Sequence, residues 1–568
     1  MTLLNTVIQS PSKGSRSQPE PEVRPMKPTM QDYPLTLDQL FRRAERQFGQ
    51  KQIISASPDG VSVTTYAYWA QRTRRLIGGL RGLHLRQGAR VGTFAWNSSR
   101  HLEISFAGPL SGLVFHPLNV RLPAEQLTYV INDAADDVIF VDRSLLPRLA
   151  PHLHMLTTVR QIVVMNDEPS APNVDPDLPV ELVVTDYEEL LAAAGNTEIQ
   201  ADDENAAASV CYTSGTTGNP KGVVYSHRSL WLHAMALLQA DATAISENDT
   251  ILPLVPFFHA NAWDLGYAAV AAGANLVLPG SDNSGAAIAG LISDHRVTLA
   301  TAVPAVWSRV LPELRTRDAS SLRMLCSGGS AVPERLTYLC RELTGKPMMQ
   351  VWGMTETGAF ASMARTRPHI DAADPEAQKQ VTSSQGIPIA GVDFRIVRED
   401  TLEELPWDGV ASGELQCRGP WVTARYHGEP GGTTVSTSDH WFRTGDAASI
   451  DPDGYIRLRD RLKDLIKSGG EWIPTVELEG VLQSHPAVDS VAVIGVPSLR
   501  WDERPIAVVA LSKDGSVSPG ELMDWLRPRV AKLWLPDEIR LVPELPVTSV
   551  GKIDKKELRN CFGQETRP

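Results

Sequence analysis

The 568-residue chain is too long for a single hydrophobic core, so at least two domains are expected. Its composition, 42% hydrophobic and 21% charged, excludes a fibrous or wholly disordered protein. The formal net charge of −13 argues against nucleic acid as a partner, because an acidic surface repels phosphates.

The five cysteines are scattered, with neither a CxxC pair nor zinc-ligand spacing, which is typical of reduced thiols in a cytoplasmic protein. Residues 1–30 are rich in Pro, Ser and charged residues and lack the apolar core of a signal peptide, so a disordered tail is predicted. No run approaches the roughly 18 apolar residues of a membrane span, and no transmembrane segment is expected.

In chain order, a helical pattern over 34–48 is followed by short, continuously apolar runs that predict buried strands. These runs lie at 90–96, 138–142, 162–166, 250–256 and 274–280. Continuous rather than alternating apolar character favours sheets covered by helices on both faces.

Around 385–460, shorter strands with Gly and Pro turns predict a β-rich subdomain. The charged stretch 460–470 then separates this part from about 100 further residues, enough for a domain of their own. The expected organisation is therefore a large α/β domain over 31–462 and a small α+β domain over 463–568.

The segment CYTSGTTGNPKGVVYSH (211–227) carries the strongest chemical signal. Gly215 and Gly218 have no side chain, so backbone N–H groups there can approach an anion. Hydroxyl donors and a positive charge come from Thr213, Ser214, Thr216, Thr217 and Lys221. These are the parts of a phosphate cradle, although such a run taken alone is more often a surface loop. It is not a Walker A loop, because Lys221 follows Pro220 rather than Gly and is not followed by Ser or Thr.

Further motifs follow in order: FFHANAW (257–263), SGGSAVP (327–333), VWGMTETG (351–358), WFRTGD (441–446), DRLKDLIKSGGEW (460–472) and TSVGKIDKKELR (548–559). Together with the glycine-rich segment they resemble the adenylate-forming superfamily of acyl-CoA ligases, luciferases and peptide-synthetase adenylation domains. The resemblance covers residues 32–562. It implies an enzyme that uses ATP and Mg²⁺ to convert a carboxylic acid to an acyl-adenylate, then transfers the acyl group to coenzyme A. The implied fold stacks parallel sheets in a large α/β domain and adds a small mobile lid.

The resemblance also implies roles for single residues. Glu356 is matched to the magnesium carboxylate, Thr355 to a phosphate contact, and Trp352 to the aromatic beside adenine. Asp446 and Arg461 are matched to the ribose contacts. The remaining implied nucleotide-binding residues are Gly328, Gly329, Ser330, Gly353 and Met354. Outside these motifs, the charged residues would be interpreted as solvent-exposed surface residues. Trp352 would be interpreted as part of the hydrophobic core.

Lys552 matches the catalytic lysine, which would bridge the acid and the α-phosphate and neutralise charge that develops between them. Thr213, Glu356 and His259 complete the implied catalytic set. For the second half-reaction the C-terminal domain would rotate about Lys463. The coenzyme A passage would be lined by Lys467, Ser468, Gly469 and Gly470, although KSGG is also an ordinary turn.

Within the superfamily the chain is most similar to bacterial medium- and long-chain fatty-acyl-CoA synthetases. The implied acyl pocket comprises His259, Ala262, Trp263, Val351, Ala359, Phe360 and Trp472. His259 would lie beside the reacting carboxylate, and a core histidine is the competing interpretation. Val351 replaces the usual glycine, and Phe360 adds volume. Because packed sites do not absorb extra side chains, a medium-chain or short branched acid is favoured.

Three alternatives stay open: an acceptor that is a carrier protein, a luciferase-type oxygenase, and a binding protein without catalysis. The intact set of Thr213, Lys221, Glu356, Asp446 and Lys552 argues against the last. A homodimer is expected from the same resemblance.

Overall fold

The computed structural model describes residues 26–168, 182–197, 199, 201–213, 219–370, 374–428, 435–468, 471–513, 515–548 and 553–563. Residues 1–34 and 35–568 are two separate units. In the first unit, residues 26–33 are exposed. The tail predicted over 1–30 lies mostly outside the described residues and stays a prediction.

The strands of the described residues are short, and most are buried. They are β1 (Gln52–Ser57), β2 (Gly60–Thr65), β3 (Arg90–Phe94), β4 (Val114–Pro117), β5 (Asp136–Asp142), β6 (Gln161–Met165), β7 (Val183–Asp186), β8 (Ala207–Tyr212), β9 (Gly222–Ser226), β10 (Thr250–Pro253), β11 (Asn275–Leu278), β12 (Leu299–Ala302), β13 (Met324–Ser327), β14 (Met348–Trp352), β15 (Ser362–Met363), β16 (Ile387–Pro388), β17 (Asp393–Val397), β18 (Gly413–Arg418), β19 (Phe442–Ile450), β20 (Ile456–Arg461), β21 (Ile466–Ser468), β22 (Glu471–Ile473), β23 (Val488–Ser498), β24 (Asp502–Leu511) and β25 (Glu538–Val542).

The helices of the same residues are α1 (Leu37–Gln47), α2 (Tyr66–Gly82), α3 (Ser99–Leu110), α4 (Ala124–Ala134), α5 (Leu146–Leu149), α6 (Tyr187–Ala192), α7 (His227–Leu237), α8 (Ala260–Trp263), α9 (Leu265–Ala272), α10 (Gly285–Asp294), α11 (Pro304–Glu313), α12 (Glu334–Thr344), α13 (Pro375–Thr382), α14 (Thr475–Gln483), α15 (Pro519–Leu526) and α16 (Lys555–Phe562). The helix predicted over 34–48 is thus confirmed as α1.

Two mainly parallel sheets form the large α/β body. The first has the strand order β16-β15-β14-β13-β12-β10-β11-β1-β2, with antiparallel pairs where β2, β15 and β16 join. The second has the order β7-β6-β5-β3-β4-β8-β9, and only the β8–β9 pair among its described pairs is antiparallel. All the strands predicted from continuous apolar runs lie in these sheets, which confirms them.

Helix α3 lies between the two sheets. It contacts β4 and β8 of the second sheet and β1 of the first, and its residues from His101 to Leu110 are all buried. Its polar residues are buried as well, and Glu103 pairs with Arg72 at 2.7 Å, because a buried carboxylate requires a partner. The ring of Phe106 on α3 packs 5.2 Å from Trp69 and 5.1 Å from Tyr267, so an aromatic cluster fills the space between the layers.

The later part of the chain is mainly antiparallel. Strands β17 to β20 form a meander in sequence order, which is the β-rich part expected over 385–460. Beyond it, β22-β21-β24-β23 pair antiparallel, β25 joins β24 in parallel, and helices α14 to α16 complete an α+β arrangement. This region has apolar clusters of its own, centred on residues such as Leu478, Val493 and Leu522. The fold class is confirmed; the domain boundary at 462/463 stays a prediction.

Within the described residues, no helix combines the length and the apolar character needed to cross a membrane.

Asn97 connects the two parallel sheets. It follows β3 of the second sheet, and its side-chain amide donates to the carbonyl oxygens of Pro253 and Val255, at 3.3 and 2.9 Å, after β10 of the first. Its Oδ1 accepts from the Phe257 backbone N–H at 3.0 Å. Because Asn97 is 5% exposed, these backbone groups have little access to water as a substitute partner.

We expect Asn97→Ala to lower the free energy of unfolding by about 2–4 kcal/mol, because buried backbone groups lose their partners. Urea and thermal unfolding followed by tryptophan fluorescence would measure this loss. Asn248→Ala, at an exposed asparagine, is the matched control. Equal unfolding midpoints for the two variants would contradict the prediction.

Candidate active site

The predicted site residues cluster where parallel strands end. Strand β8 ends at Tyr212 before Thr213, β13 ends at Ser327 before Gly328, and β14 ends at Trp352 before Gly353. In open α/β sheets, ligands bind outside the carboxyl ends of the strands. The fold therefore places three predicted motifs at the edge where a ligand site is expected.

The two ends of the glycine-rich segment are held together between β8 and β9. The Thr213 backbone N–H donates to the Lys221 carbonyl at 2.9 Å, and the Lys221 N–H donates to the Thr213 hydroxyl at 3.1 Å. Ser214, Gly215, Thr216, Thr217 and Gly218 lie outside the described residues, so their predicted phosphate contacts stay predictions.

A tyrosine links Lys221 to Glu356. The Lys221 ammonium lies 4.7 Å from the centre of the Tyr426 ring, and the Tyr426 hydroxyl donates to Glu356 Oε1 at 2.6 Å. Glu356 is 6% exposed, in a 3₁₀ turn over Thr355–Thr357, and its backbone carbonyl accepts from the Thr423 N–H at 2.8 Å. The sequence had indicated Lys221 and Glu356 but not Tyr426, which lies 70 residues from Glu356.

Asp446 is held by two donors. The register of β19 and β20 puts Asp446 opposite Arg461, whose Nε lies 2.8 Å from Asp446 Oδ1. The indole N–H of Trp352 donates to Asp446 Oδ2 at 3.3 Å. Asp446 is 2% exposed, and a buried carboxylate requires such partners to stay ionised. Three residues predicted to contact one nucleotide therefore meet in space.

The segment after His259 has a left-handed backbone. Residues Ala260 to Asp264 have φ between 39° and 58°, although none is glycine. Left-handed helical conformation costs roughly 1–2 kcal/mol per residue with a Cβ. Asn261 Oδ1 accepts from the Ser209 hydroxyl at 3.0 Å, which fixes the turn on β8. Strain of this kind persists only where surrounding contacts impose it, and such places are often functional.

His259 precedes this left-handed turn and lies near Thr213, the start of the glycine-rich segment. Together with Thr213, Tyr212 and His116 it lines a cavity of about 20 Å³. Its ring lies 5.0 Å from that of Phe258. The structure places His259 near Thr213, and its predicted contact with the reacting carboxylate stays a prediction.

Several of the residues predicted to line the acyl pocket pack close together. The rings of Trp263 and Phe360 meet edge to face at 6.1 Å. A Cβ placed on Gly328 would lie 2.6 Å from Val351 Cγ2 and 3.1 Å from Trp263, so glycine is required there. Ala262, Val351 and Phe360 are at most 3% exposed. The bulky side chains predicted to line the acyl pocket therefore pack into one surface, which we call the wall.

His233 supports this wall from behind. Its Nδ1 is 2.7 Å from Asp264 Oδ2, and its Nε2 donates to the Phe360 carbonyl at 3.0 Å. Burial raises the pKa of Asp264, against the opposing effect of His233. The pair joins the left-handed turn to the chain beyond Glu356. Sequence reasoning missed His233 because a buried histidine on a helix carries no motif.

The other residues predicted to bind the nucleotide lie just after the ends of β13 and β14. Gly353 abuts Ala359, since a Cβ on Gly353 would be 2.4 Å from the Ala359 carbonyl. The Met354 N–H donates to the Thr357 hydroxyl at 2.9 Å. Gly329 and Ser330 are exposed beyond β13.

The predicted hinge residue Lys463 lies in the turn between β20 and β21, and the described passage residues Lys467 and Ser468 lie on β21. Lys467 pairs with Trp472 across β21 and β22, and Trp472 is 52% exposed. Ser468 is buried, and its hydroxyl oxygen accepts from Arg504 at 3.1 Å. Partial burial, together with the charges of neighbouring arginines, lowers the pKa of Lys463. Gly469, Gly470 and Lys552 lie outside the described residues.

The described residues contain no group of three or more His, Cys, Asp or Glu side chains arranged to hold a metal ion. Glu356 nevertheless offers a carboxylate with one oxygen engaged by Tyr426. A single carboxylate suits Mg²⁺, which takes its other ligands from phosphates and water.

A separate groove of about 570 Å³ lies among α1, α7 and α9. It contains none of the predicted site residues. The candidate site is therefore identified by its side chains and not by the size of its cavity.

Two family models match the chain. The AMP-binding enzyme model matches residues 40–427, and the AMP-binding enzyme C-terminal domain model matches residues 477–552.

Curated relatives match nearly the whole chain. A medium-chain-fatty-acid–CoA ligase of Ectopseudomonas oleovorans is 40% identical over 93% of this chain and 96% of its own. A 3-methylmercaptopropionyl-CoA ligase of Ruegeria lacuscaerulensis is 39% identical over 94% and 98%. A long-chain-fatty-acid–CoA ligase of Thermus thermophilus is 41% identical over 94% and 97%.

Solved structures share the fold. The anthranilate CoA ligase AuaEII in complex with anthranoyl-AMP gives a TM-score of 0.80 at 25% identity, covering 94% of this chain and 99% of its own. ATP-bound MatB from Rhodopseudomonas palustris gives 0.78 at 25% identity, covering 93% and 99%. MenE from Bacillus subtilis with ATP and magnesium ion gives 0.76 at 26% identity, covering 92% and 99%.

Proposed function

We propose that this chain, which belongs to the AMP-binding enzyme family, is an ATP-dependent acid–CoA ligase. It converts a carboxylic acid to its acyl-adenylate with release of pyrophosphate, then transfers the acyl group to coenzyme A with release of AMP. The observation that carries the proposal is the near full-length match to relatives that are CoA ligases, at 39–41% identity. The geometry adds Lys221, a buried carboxylate of Glu356 that Tyr426 links to this lysine, and the buried carboxylate of Asp446 beside Trp352.

In the first half-reaction, we assign the ends of the glycine-rich segment and Lys221 to the ATP phosphates. Asp446 and Arg461 bind the ribose, and Trp352 lies beside the adenine. Glu356 would hold Mg²⁺, which supplies positive charge to the phosphates when bound. Tyr426 orients the Glu356 carboxylate by a 2.6 Å hydrogen bond, so that its remaining oxygen keeps a fixed direction.

The acid enters against the wall of Ala262, Trp263, Val351 and Phe360, with Ala359 and Trp472 as further lining and His259 beside its carboxylate. The wall is already packed, as the edge-to-face contact between Trp263 and Phe360 indicates. A packed wall limits the length of an alkyl chain. This supports a medium-chain or short branched acid as the substrate.

In the second half-reaction, the C-terminal residues rotate about Lys463, so that Lys552 leaves the adenylate. Coenzyme A then approaches past Lys467, Ser468, Gly469 and Gly470. The lowered pKa of Lys463 reflects a partly buried hinge position whose environment a rotation would change. A carrier protein as acceptor is not favoured, because the named relatives use coenzyme A. The cytoplasmic location and the homodimer also stay predictions.

Pyrophosphate release measured with ATP and Mg²⁺ across carboxylic acids of increasing length, with and without coenzyme A, tests the function. We expect sustained release that requires coenzyme A and peaks at a short or medium chain length. A single stoichiometric burst that coenzyme A does not relieve would instead point to a different acceptor.

We expect Val351→Ala to move the preferred acid toward longer chains, because two methyl groups leave the wall of the pocket. The ratio of kcat/KM for a long and a short acid should rise roughly 10-fold, the scale of one or two methylene-sized contacts. Val277→Ala, a buried valine of β11, is the matched control for lost stability. An unchanged ratio would refute the assignment of Val351 to the pocket.

We expect Lys552→Ala to slow adenylate formation on the order of 10²–10³-fold, the scale for one electrostatic contact to a transition state. Conversion of supplied acyl-adenylate to acyl-CoA should be nearly unaffected, since Lys552 is proposed to have left by then. Lys556→Ala, at an exposed lysine of α16, is the control. Equal losses in both half-reactions would count against the rotation.

A further inference from the structure

Helix α4 contacts Tyr212, the residue before Thr213, through a side chain that belongs to none of the motifs. The hydroxyl of Tyr212, the last residue of β8, donates to Asp133 Oδ2 on α4 at 2.6 Å. Tyr212 immediately precedes Thr213, where the loop begins. A carboxylate acceptor shortens and strengthens such a bond, so Asp133 fixes the strand at the point from which the loop departs.

A second tyrosine of the same helix contacts Asp133. The Tyr129 hydroxyl, one helical turn earlier in α4, donates to Asp133 Oδ1 at 3.4 Å. Both carboxylate oxygens of Asp133 are therefore engaged, one by Tyr212 and the other by Tyr129.

The ring of Tyr212 has two close neighbours. The His116 ring lies 5.2 Å away, and His116 Nδ1 is 2.9 Å from both carboxylate oxygens of Asp136. His116 and Asp136 are at most 1% exposed. Gly222 is the second neighbour, since a Cβ on it would lie 3.1 Å from Tyr212 Cζ.

The charge state of the link is stable. Burial, and then the hydrogen bond and negative charge of Asp133, raise the pKa of Tyr212 far above its usual value. The hydroxyl therefore stays a donor throughout the pH range in which the protein folds.

We propose that Asp133 and Tyr212 form a clamp that positions Thr213, the start of the glycine-rich segment, for ATP. The two residues do not touch substrate; they are positioning residues that act through Thr213. The inference deepens the proposed function and rests on it for the identity of the ligand. Because pyrophosphate has left before the thioester forms, the clamp serves the first half-reaction and not the second.

The experiment compares Asp133→Ala, Tyr212→Phe and the double variant in the full-length protein. Calorimetric titration with Mg²⁺–ATP in the absence of acid gives the Kd for ATP. Supplied acyl-adenylate plus coenzyme A gives the rate of the second half-reaction alone. Glu125→Ala removes another exposed carboxylate of α4 and is the matched control.

Each single variant should raise the Kd for ATP roughly 5–20-fold, as loss of one charge-assisted hydrogen bond predicts. The double variant should be no worse than the singles, because both remove the same contact. The second half-reaction should stay within about twofold of wild type. Tyr212→Phe removes only the hydroxyl and keeps the ring that lies next to His116 and Gly222. It therefore tests the clamp even if Asp133→Ala fails to fold.

An unchanged Kd in Tyr212→Phe, additive effects in the double variant, or an equal loss in both half-reactions would overturn the clamp. Failure of the proposed function is distinguishable. A wild-type protein that binds ATP and forms no acyl-CoA from any acid would refute the ligase, while the change in ATP Kd still decides the clamp.

Discussion

The hydrogen bonds of Asn97 set the position of everything that follows β10. This side chain lies at the end of one parallel sheet and satisfies backbone groups that leave the other. Without it, the chain from Pro253 to Phe257 would have to find partners within one layer. With it, the carboxyl edges of both sheets face the same space, and His259 emerges beside Thr213. The position of His259 relative to Thr213 therefore depends on the hydrogen bonds of this amide.

The site also shows how buried charge is tolerated. Glu356 and Asp446 are both nearly inaccessible, and each has identified donors: Tyr426 for the first, Arg461 and Trp352 for the second. Burying a carboxylate without hydrogen-bond partners is costly. The donors come from distant parts of the chain, so these hydrogen bonds form only in the assembled fold. Function and folding are therefore coupled through these contacts.

Sequence reasoning reached the fold because the strand signals are local. The apolar runs at 138–142 and 274–280 needed only their own composition to predict β5 and β11. Several site residues were indicated because motifs keep their order, and Asp446 and Arg461 indeed meet across two neighbouring strands. Tyr426 and His233 were missed for a physical reason: their partners lie 70 and 127 residues away, and no periodicity encodes such contacts. The left-handed turn after His259 was equally hidden, because alanine and tryptophan do not favour that conformation.

That turn has a consequence for any attempt to evolve a more heat-resistant form of this protein. Glycine at Ala260 or Ala262 would relieve the cost of positive φ, so selection for stability alone would be drawn to these positions. Yet glycine would also free the backbone to leave the conformation that presents Trp263 to Phe360. A substitution that removes backbone strain in this turn would therefore loosen the packing of Trp263 against Phe360.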